Sequence, residues 1–359
     1  MRLLSIFIAL ILFTFPSHAQ YGITERLALN IPDSQTNTTT EMAAYFDSYL
    51  KTDAEKVRAI YTWVTANIKY DKNNVHRIIL DEDQDQRVTY ALKRRRGVCE
   101  NFAAIFNDLC VKSGIPSFYI EGYTKQNGSV DRTGHVWCAA LVNNKWALYD
   151  PTWDAGSSVT YFQISPNEFI SSHLPFDPMF QFLEYPYSYK EFLRNSRQTN
   201  NANFYFNYTD SLRTYFNSDS LSRYESTLHR MEKFDWPSEK IDTKLKRLKL
   251  EIELIYQDRD MAAYHSAIAD YNKGIDMLNE FISYRNNQFQ PGKKSNEVQQ
   301  MFDDISKKIV SANQKLSDIN KSEATLTLNT GGLQEKLDEL SRYAKEQKSY
   351  YRNYLSLAK

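Results

Sequence analysis

Hydrophobic positions in the last third of the chain recur three and four residues apart. Tyr264, Ile268, Tyr271, Ile275, Leu278 and Ile282 form one series, and Phe302, Ile305, Ile309, Ala312, Leu316 and Ile319 a second. Leu333, Leu337, Leu340, Ala344, Tyr351 and Tyr354 form a third. Such steps hold apolar side chains on one stripe of a helix and let helices pack along a seam. Pro291-Gly292 and Gly331-Gly332 interrupt the series, so the pattern predicts an all-α antiparallel helical bundle or coiled coil. The composition turns to Lys, Glu, Gln, Asn, Leu and Tyr near residue 196, which sets this domain at 196–359.

The preceding part of the chain is patterned differently. Thr52-Asp53-Ala54-Glu55 is a capping-box sequence, and Val57, Ile60, Tyr61, Val64 and Ile68 follow at helical spacing. A second helix is expected from about Gln86 to Arg95. A third runs from about Glu100 through Phe102, Ala103, Phe106, Leu109 and Cys110, and Gly114 with Pro116 stops it. Three strand-like segments come next, Ser117–Thr124, His135–Val142 and Lys145–Asp150, with Asn143-Asn144 as a tight turn between the last two. Helices followed by an antiparallel hairpin predict an α+β domain, set at 20–195. Within it Ser165-Pro166-Asn167-Glu168 reads as another capping box opening a short helix to about Ser172. Prolines at 175, 178 and 186 exclude a long helix there, and the stretch from Tyr161 to Asn195 is expected to wrap the domain.

Composition narrows the function classes. Lys+Arg and Asp+Glu are both 44 in 359 residues, so no polyanionic partner is called for and nucleic acid is not expected. Arg2, the apolar run Leu3–Phe15 and Pro16-Ser17-His18-Ala19 have the order of a secretory signal peptide, predicted to occupy residues 1–19 and to be cleaved after Ala19. A secreted or periplasmic product follows, with no integral membrane segment after cleavage.

An exported chain can form disulfides, yet Cys99, Cys110 and Cys138 are an odd number and leave at least one thiol free. Cys99 and Cys110 would stand about 16 Å apart along one helix, beyond disulfide reach. Cys99 falls at the start of its helix, where the dipole and unpaired amide hydrogens favour a thiolate. His135 opens one strand and Asp150 ends the next, so the hairpin can bring them together on the face that Trp137 shares, with Cys138 on the other. These residue types suit a nucleophile, a general base and an orienting carboxylate. Cys110 and Cys138 are read as packing. Trp137 and Trp153 suit either a substrate-binding cleft wall or core filling. Lys93-Arg94-Arg95-Arg96 is read as favourable charge at a helix C-terminus, and Asp81-Glu82-Asp83 as a solvated turn, without the Gly and distal Glu of a calcium loop. No closely spaced His or Cys pattern calls for a metal.

Gly97-Val98-Cys99-Glu100-Asn101-Phe102-Ala103, Gly134-His135-Val136-Trp137 and Trp146-Ala147-Leu148-Tyr149-Asp150-Pro151-Thr152-Trp153-Asp154 resemble the three core motifs of the transglutaminase-like superfamily. Lys56 to Val64 with Asn67-Ile68-Lys69-Tyr70-Asp71 is similar to the helix leading into that core. The resemblance spans about residues 50–190 and is to the branch that includes the kyphoscoliosis-type peptidases and exported bacterial relatives. It implies a papain-like α+β core, a triad of Cys99, His135 and Asp150, no cofactor, and acyl transfer from a peptide or protein amide through a thioester to water or an amine. Glu100-Asn101 departs from the smaller or glutamine-containing pair of many members, which leaves substrate preference open. The resemblance says nothing of residues 196–359, whose helices suit a protein partner. The rival reading is a catalytically silent peptide-binding or scaffold module, against which the intact triad argues.

Overall fold

The computed structural model describes residues 18–74, 83–156, 159–196, 205–319 and 328–357. Residues 1–17 of the expected signal peptide, and Asp81 and Glu82 of the acidic run, lie outside them. The chain divides into two compact units: one runs to Asn217 and takes in His229–Ile241, the other comprises Ser218–Leu228 and Asp242–Lys359.

The first unit begins with α1 (His18–Leu29), α2 (Thr39–Tyr49) and α3 (Asp53–Asn67). Thr52 Oγ1 accepts from the Glu55 N–H while the Glu55 carboxylate accepts from the Thr52 N–H, the reciprocal cap expected of the sequence. Val57, Ile60, Tyr61, Val64 and Ile68 are all buried. Strand β1 (Lys69–Tyr70) runs parallel to β2 (Arg96–Gly97), with α4 (Gln84–Arg94) between them in sequence. Helix α5 (Cys99–Lys112) follows directly. Every side chain from Asn101 to Asn107 is buried, because helices α2, α3 and α4 and the sheet surround it.

Strands β3 (Ser117–Gln126), β4 (Ser129–Val130), β5 (His135–Val142) and β6 (Lys145–Tyr149) form an antiparallel sheet of order β4-β3-β5-β6. Asn143 and Asn144 both have positive φ, +53° and +59°, the conformation of a two-residue hairpin turn. Helix α6 (Pro166–Phe169) is shorter than expected and lacks a side-chain bond from Ser165, so only the proline half of its start signal operates. The chain then returns as β7 (His173–Pro175) against β3, pairing His173 with Thr124, and continues into α7 (Tyr189–Arg194) and α8 (Tyr208–Asn217). Gly122 of β3 pairs with His135 on one side and Pro175 on the other. A Cβ there would strike the Leu174 carbonyl and the Trp137 ring, so the three strands meet only around a glycine.

Alternation along the strands sorts the sheet's two faces. Val136, Cys138, Ala140 and Tyr149 join the core with α5. Phe118, Ile120, Trp137, Ala139 and Leu148 pack on the other face against Phe169, Met179, Phe182 and Leu212 of α8. The compact unit therefore continues past the composition change near 196, because the sheet's second face needs α8 as cover.

The second unit holds α9 (Ser220–Lys233) as far as Leu228 and α10 (Ser238–Asn286) from Asp242 onward, followed by α11 (Ser295–Ser317) and α12 (Thr330–Leu357). Ala267 clusters with Ala312 and Leu337, whereas Phe281 clusters with Phe302 and Tyr351. Rising numbers in α10 meet falling numbers in α11 and rising ones in α12, so the three run antiparallel in turn, as the seam predicts. The last break lies one turn earlier than expected: Asn329 Oδ1 accepts from the Gly332 N–H at 2.9 Å, which places both glycines inside the first turn of α12.

Candidate active site

Cys99 is the first residue of α5, and its position is set from both sides. Before it, the Asp71 and Lys69 N–H groups donate to the Gly97 and Arg95 carbonyls, pinning the approach to the helix. After it, Asn101 Oδ1 accepts from the Val98 N–H at 2.9 Å and Asn101 Nδ2 donates to the Arg87 carbonyl at 3.1 Å. The residue next but one to the cysteine thus anchors the turn that presents it. Val98 has no side-chain acceptor for the helix's leading amides; the Asn101 N–H turns back to the Val98 carbonyl at 2.9 Å, while the Cys99 and Glu100 N–H groups have no acceptor within the helix. All three cysteines are free thiols; Cys99 is partly exposed, whereas Cys110 and Cys138 are buried. Burial pushes both of these thiols well above the ordinary range, and Cys138 Sγ meets the Ala103 carbonyl at 3.3 Å, in line with the packing role expected for them.

His135 opens β5 and lies 2.7 Å, through Nε2, from Asp150 Oδ2. Asp150 is a carboxylate and has no hydrogen to give, so the imidazole donates from Nε2, and Nδ1 remains for the side-chain hydrogen bond it shares with Cys99. Burial alone would lower the His135 pKa, but the Asp150 charge and hydrogen bond, together with Cys99, raise it to about 10. Burial would likewise raise Asp150, and the charge and hydrogen bond of His135 with the bond from His173 instead hold it far below the usual carboxylate range. Sequence reasoning named all three residues of this cluster, and folding brings them together.

Asp150 itself has no exposed surface. Its Oδ1 accepts from the Thr152 and Trp153 N–H groups at 2.9 and 3.2 Å, a turn that the Asp-Pro-Thr-Trp sequence makes locally. Tyr61 of α3 donates to Asp154 Oδ2 at 2.6 Å and lies 3.0 Å from the Asp150 carbonyl, tying the leading helix to this turn. The two tryptophans separate. Trp137 is fully buried among Ile120, Phe169 and His173, so of its two readings the structure takes core filling and corrects that of a cleft wall. Trp153 is partly exposed and its ring lies 5.7 Å from that of His135. In the basic run, Arg95 lies over the Trp63 ring at 4.8 Å and donates to Thr36, which corrects its reading as helix-end charge.

His173 was not singled out from the sequence. It is 1% exposed, and its Nε2 lies 3.2 Å from the same Asp150 Oδ2. An ionisable residue inside the apolar run Phe169–Phe176 was the available signal, since such residues are buried only with a partner. Donor atoms of His135, Asp150 and His173 fall within 4.8 Å of one another, the geometry of a possible metal site among the described residues. Two imidazole nitrogens aimed at one carboxylate oxygen are accounted for by hydrogen bonding.

Residues 40–151 match the family model described as the transglutaminase-like superfamily. The chain is 29% identical over 167 residues to kyphoscoliosis peptidase of Homo sapiens, covering 40% of this chain and 24% of that protein. It is 24% identical over 200 residues to Hillarin of Drosophila melanogaster, covering 47% and 24%. The match thus spans about a quarter of the length of these relatives. Among solved structures, a putative cysteine protease from Cytophaga hutchinsonii is similar with a TM-score of 0.27 and 23% identity, covering 36% of this chain and 42% of the other. A crystal structure of a TGase is similar with a TM-score of 0.26 and 15% identity, covering 38% and 37%.

Proposed function

Residues 40–151 belong to the transglutaminase-like superfamily, and from that premise we propose that this chain is an extracytoplasmic cysteine-dependent hydrolase or acyltransferase that cleaves peptide or protein amides through a thioester. One observation carries the reading: a partly exposed thiol at a helix N-terminus shares a hydrogen bond with an imidazole whose other nitrogen is held by a buried carboxylate. The extracytoplasmic setting rests on the Leu3–Phe15 run and Ala19 of the sequence.

In the proposed reaction His135 Nδ1 takes the Cys99 proton and Sγ bonds to the amide carbonyl carbon. Charge gathers on the carbonyl oxygen, and the Cys99 and Glu100 amides at the start of α5, which lack helical acceptors, are its donors. The tetrahedral species collapses, the C–N bond breaks, and the imidazolium returns its proton to the departing amine. Water or a second amine, deprotonated by the same imidazole, then attacks the thioester and expels the Cys99 thiolate. Asp150 keeps Nε2–H pointed away from the reaction throughout. Trp153 is the side chain proposed to line the acyl site, and the C-terminal helices are proposed to bind or position a protein partner.

The reading is tested by iodoacetamide labelling at mildly acidic pH. Cys99 is expected to react first, and Cys110 and Cys138 only on unfolding, since thiolates and not buried thiols are alkylated. A peptide-derived, hydroxylamine-labile mass adduct on Cys99 would identify the thioester. Equal labelling of Cys99 and Cys110 in the folded protein would favour the silent binding module.

A further inference from the structure

Among the described residues of the first unit, His173 is the one buried imidazole that the proposed chemistry leaves without a task. Its ring stacks on Phe169 with centroids 3.9 Å apart, meets the edge of Trp137 at 5.0 Å and lies 4.5 Å from Trp153. An aromatic box of this kind would accept phenylalanine at lower desolvation cost, so the two nitrogens need a reason. Both are engaged. Nε2 lies 3.2 Å from Asp150 Oδ2, and Nδ1 lies 2.7 Å from Ser172 Oγ.

The tautomer follows from the partners. Asp150 has no hydrogen to offer, so Nε2 of His173 carries one. A neutral ring has only that one, hence Nδ1 accepts from the Ser172 hydroxyl. Burial, opposed by the hydrogen bond and charge of Asp150, lowers the His173 pKa to about 4, with His135 and Asp131 as the other charged groups acting on it. The ring is therefore a permanent neutral donor at physiological pH. Asp150 Oδ1 is already held by two backbone amides, so the only freedom left to the carboxylate is where Oδ2 points and how its charge is divided.

We infer that His173 is a positioning residue for the Cys99–His135 pair: its Nε2–H, set by Ser172, fixes Asp150 Oδ2 and divides that oxygen's charge between two imidazoles. The inference rests on the proposed role of Cys99 only for its kinetic test. His173 touches no reacting atom and acts through Asp150 alone.

The experiment uses the full-length protein and iodoacetamide at mildly acidic pH. His173→Phe keeps the stacked ring and removes the donor, whereas His173→Gln restores an N–H near the Nε2 position. Cys99 labelling is expected to slow about tenfold in His173→Phe, the worth of one hydrogen bond to a charged group, and to recover within about threefold in His173→Gln. With Asp150 replaced by Asn, the His173→Phe change should have no further effect. Ser172→Ala, at a partly exposed position, should act in the same direction as His173→Phe if that variant fails to fold. Equal losses in Phe and Gln variants, or an undiminished effect in the Asp150→Asn background, would overturn the proposal. Histidine 15N spectra supply a readout independent of reactivity. They should show one ring neutral with hydrogen on Nε2, and a His135 Nε2–H resonance that moves in His173→Phe but not in His173→Gln. If Cys99 is unreactive in the parent protein, the proposed function fails while these spectra still decide the role of His173; a His173 ring protonated on Nδ1 would sink it.

Discussion

Asp150 in the first unit and Asp270 in the second are both buried carboxylates, 0% and 7% exposed, and their partners differ. Asp270 of α10 is met from α11 by Lys308 at 2.8 Å, by Ser311 at 2.7 Å and by Lys315. The lysines stay about a third exposed, and their charges hold Asp270 below the usual carboxylate range, although burial alone would raise it. Asp150 is met by two imidazoles and two backbone amides, with no lysine or arginine bonded to it. A carboxylate held by ammonium groups is electrically settled at every physiological pH. One held by imidazoles orients rings whose second nitrogen can meet another group, as His135 meets Cys99, and so suits a site of proton transfer. Burial of charge is thus a weak sign of chemistry; what the partners can reach in turn is the better one.

The largest way to break this comparison is to neutralise each carboxylate. Asp150→Asn should slow acylation of Cys99 on the order of 10³- to 10⁴-fold, the penalty for a triad's third member. Asp270→Asn should leave Cys99 untouched and cost about 1 kcal/mol or less, because its lysine partners are partly solvated. Mass-resolved labelling with denaturant unfolding checks both. Equal kinetic effects would show that the site's carboxylate has no special standing.

A chain ended at Asn195 tests where the first unit stops. It loses Leu212 and Met231, which are 4% and 2% exposed, and the Arg230 pair with Asp177 at 2.7 Å. Each lost apolar anchor is worth about 1.5–3 kcal/mol, so unfolding should come at clearly lower denaturant than for a chain ended at Ile241. Coincident transitions would place the boundary at the composition change instead.

The smallest expected effect is a pH dependence particular to the first unit. The His173 pKa is lowered on folding to about 4. The unfolded chain therefore binds more protons between about pH 6.5 and 4. Stability is complete above the unfolded value and falls with decreasing pH, by at most about 1.4 kcal/mol per pH unit. His135, raised to about 10, opposes this slope near pH 6.5, where its unfolded form is about half deprotonated, and adds nothing below about pH 5.5, where it is protonated in both states. Its own stabilisation is lost as pH rises from about 6.5 through about 10. Denaturant titrations at several pH values should show the acid slope in the parent chain and not in His173→Phe.

The elements of the second unit were legible because their seam repeats, and repetition is a property of order along the chain. In the first unit the signals were local and chemical: the Thr52 cap, the asparagine turn at 143–144, and Cys99 placed where a helix had to begin. Helix ends shifted by one or two residues, as at α4 and α5, because capping atoms and not periodicity decide them. Arg95 shows where local reading fails. It belongs to a basic run, yet its left-handed backbone, with φ of +50°, turns it onto Trp63, a contact no spacing encodes.

By its order of residues alone the chain determined two regions of different pattern, the helices and hairpin of the first, the seams of the second, and pointed to Cys99, His135 and Asp150 as the candidate site. Tertiary structure alone decided that Trp137 is core and Trp153 reaches the surface, that α8 closes the far face of the sheet, and that His173 shares Asp150 with His135. The reason is distance along the chain. Caps, turns and stripes act within a few residues, so sequence displays them. His173 lies 23 residues from Asp150 and 38 from His135, and enters the site only because β7 returns to pair with β3 around Gly122.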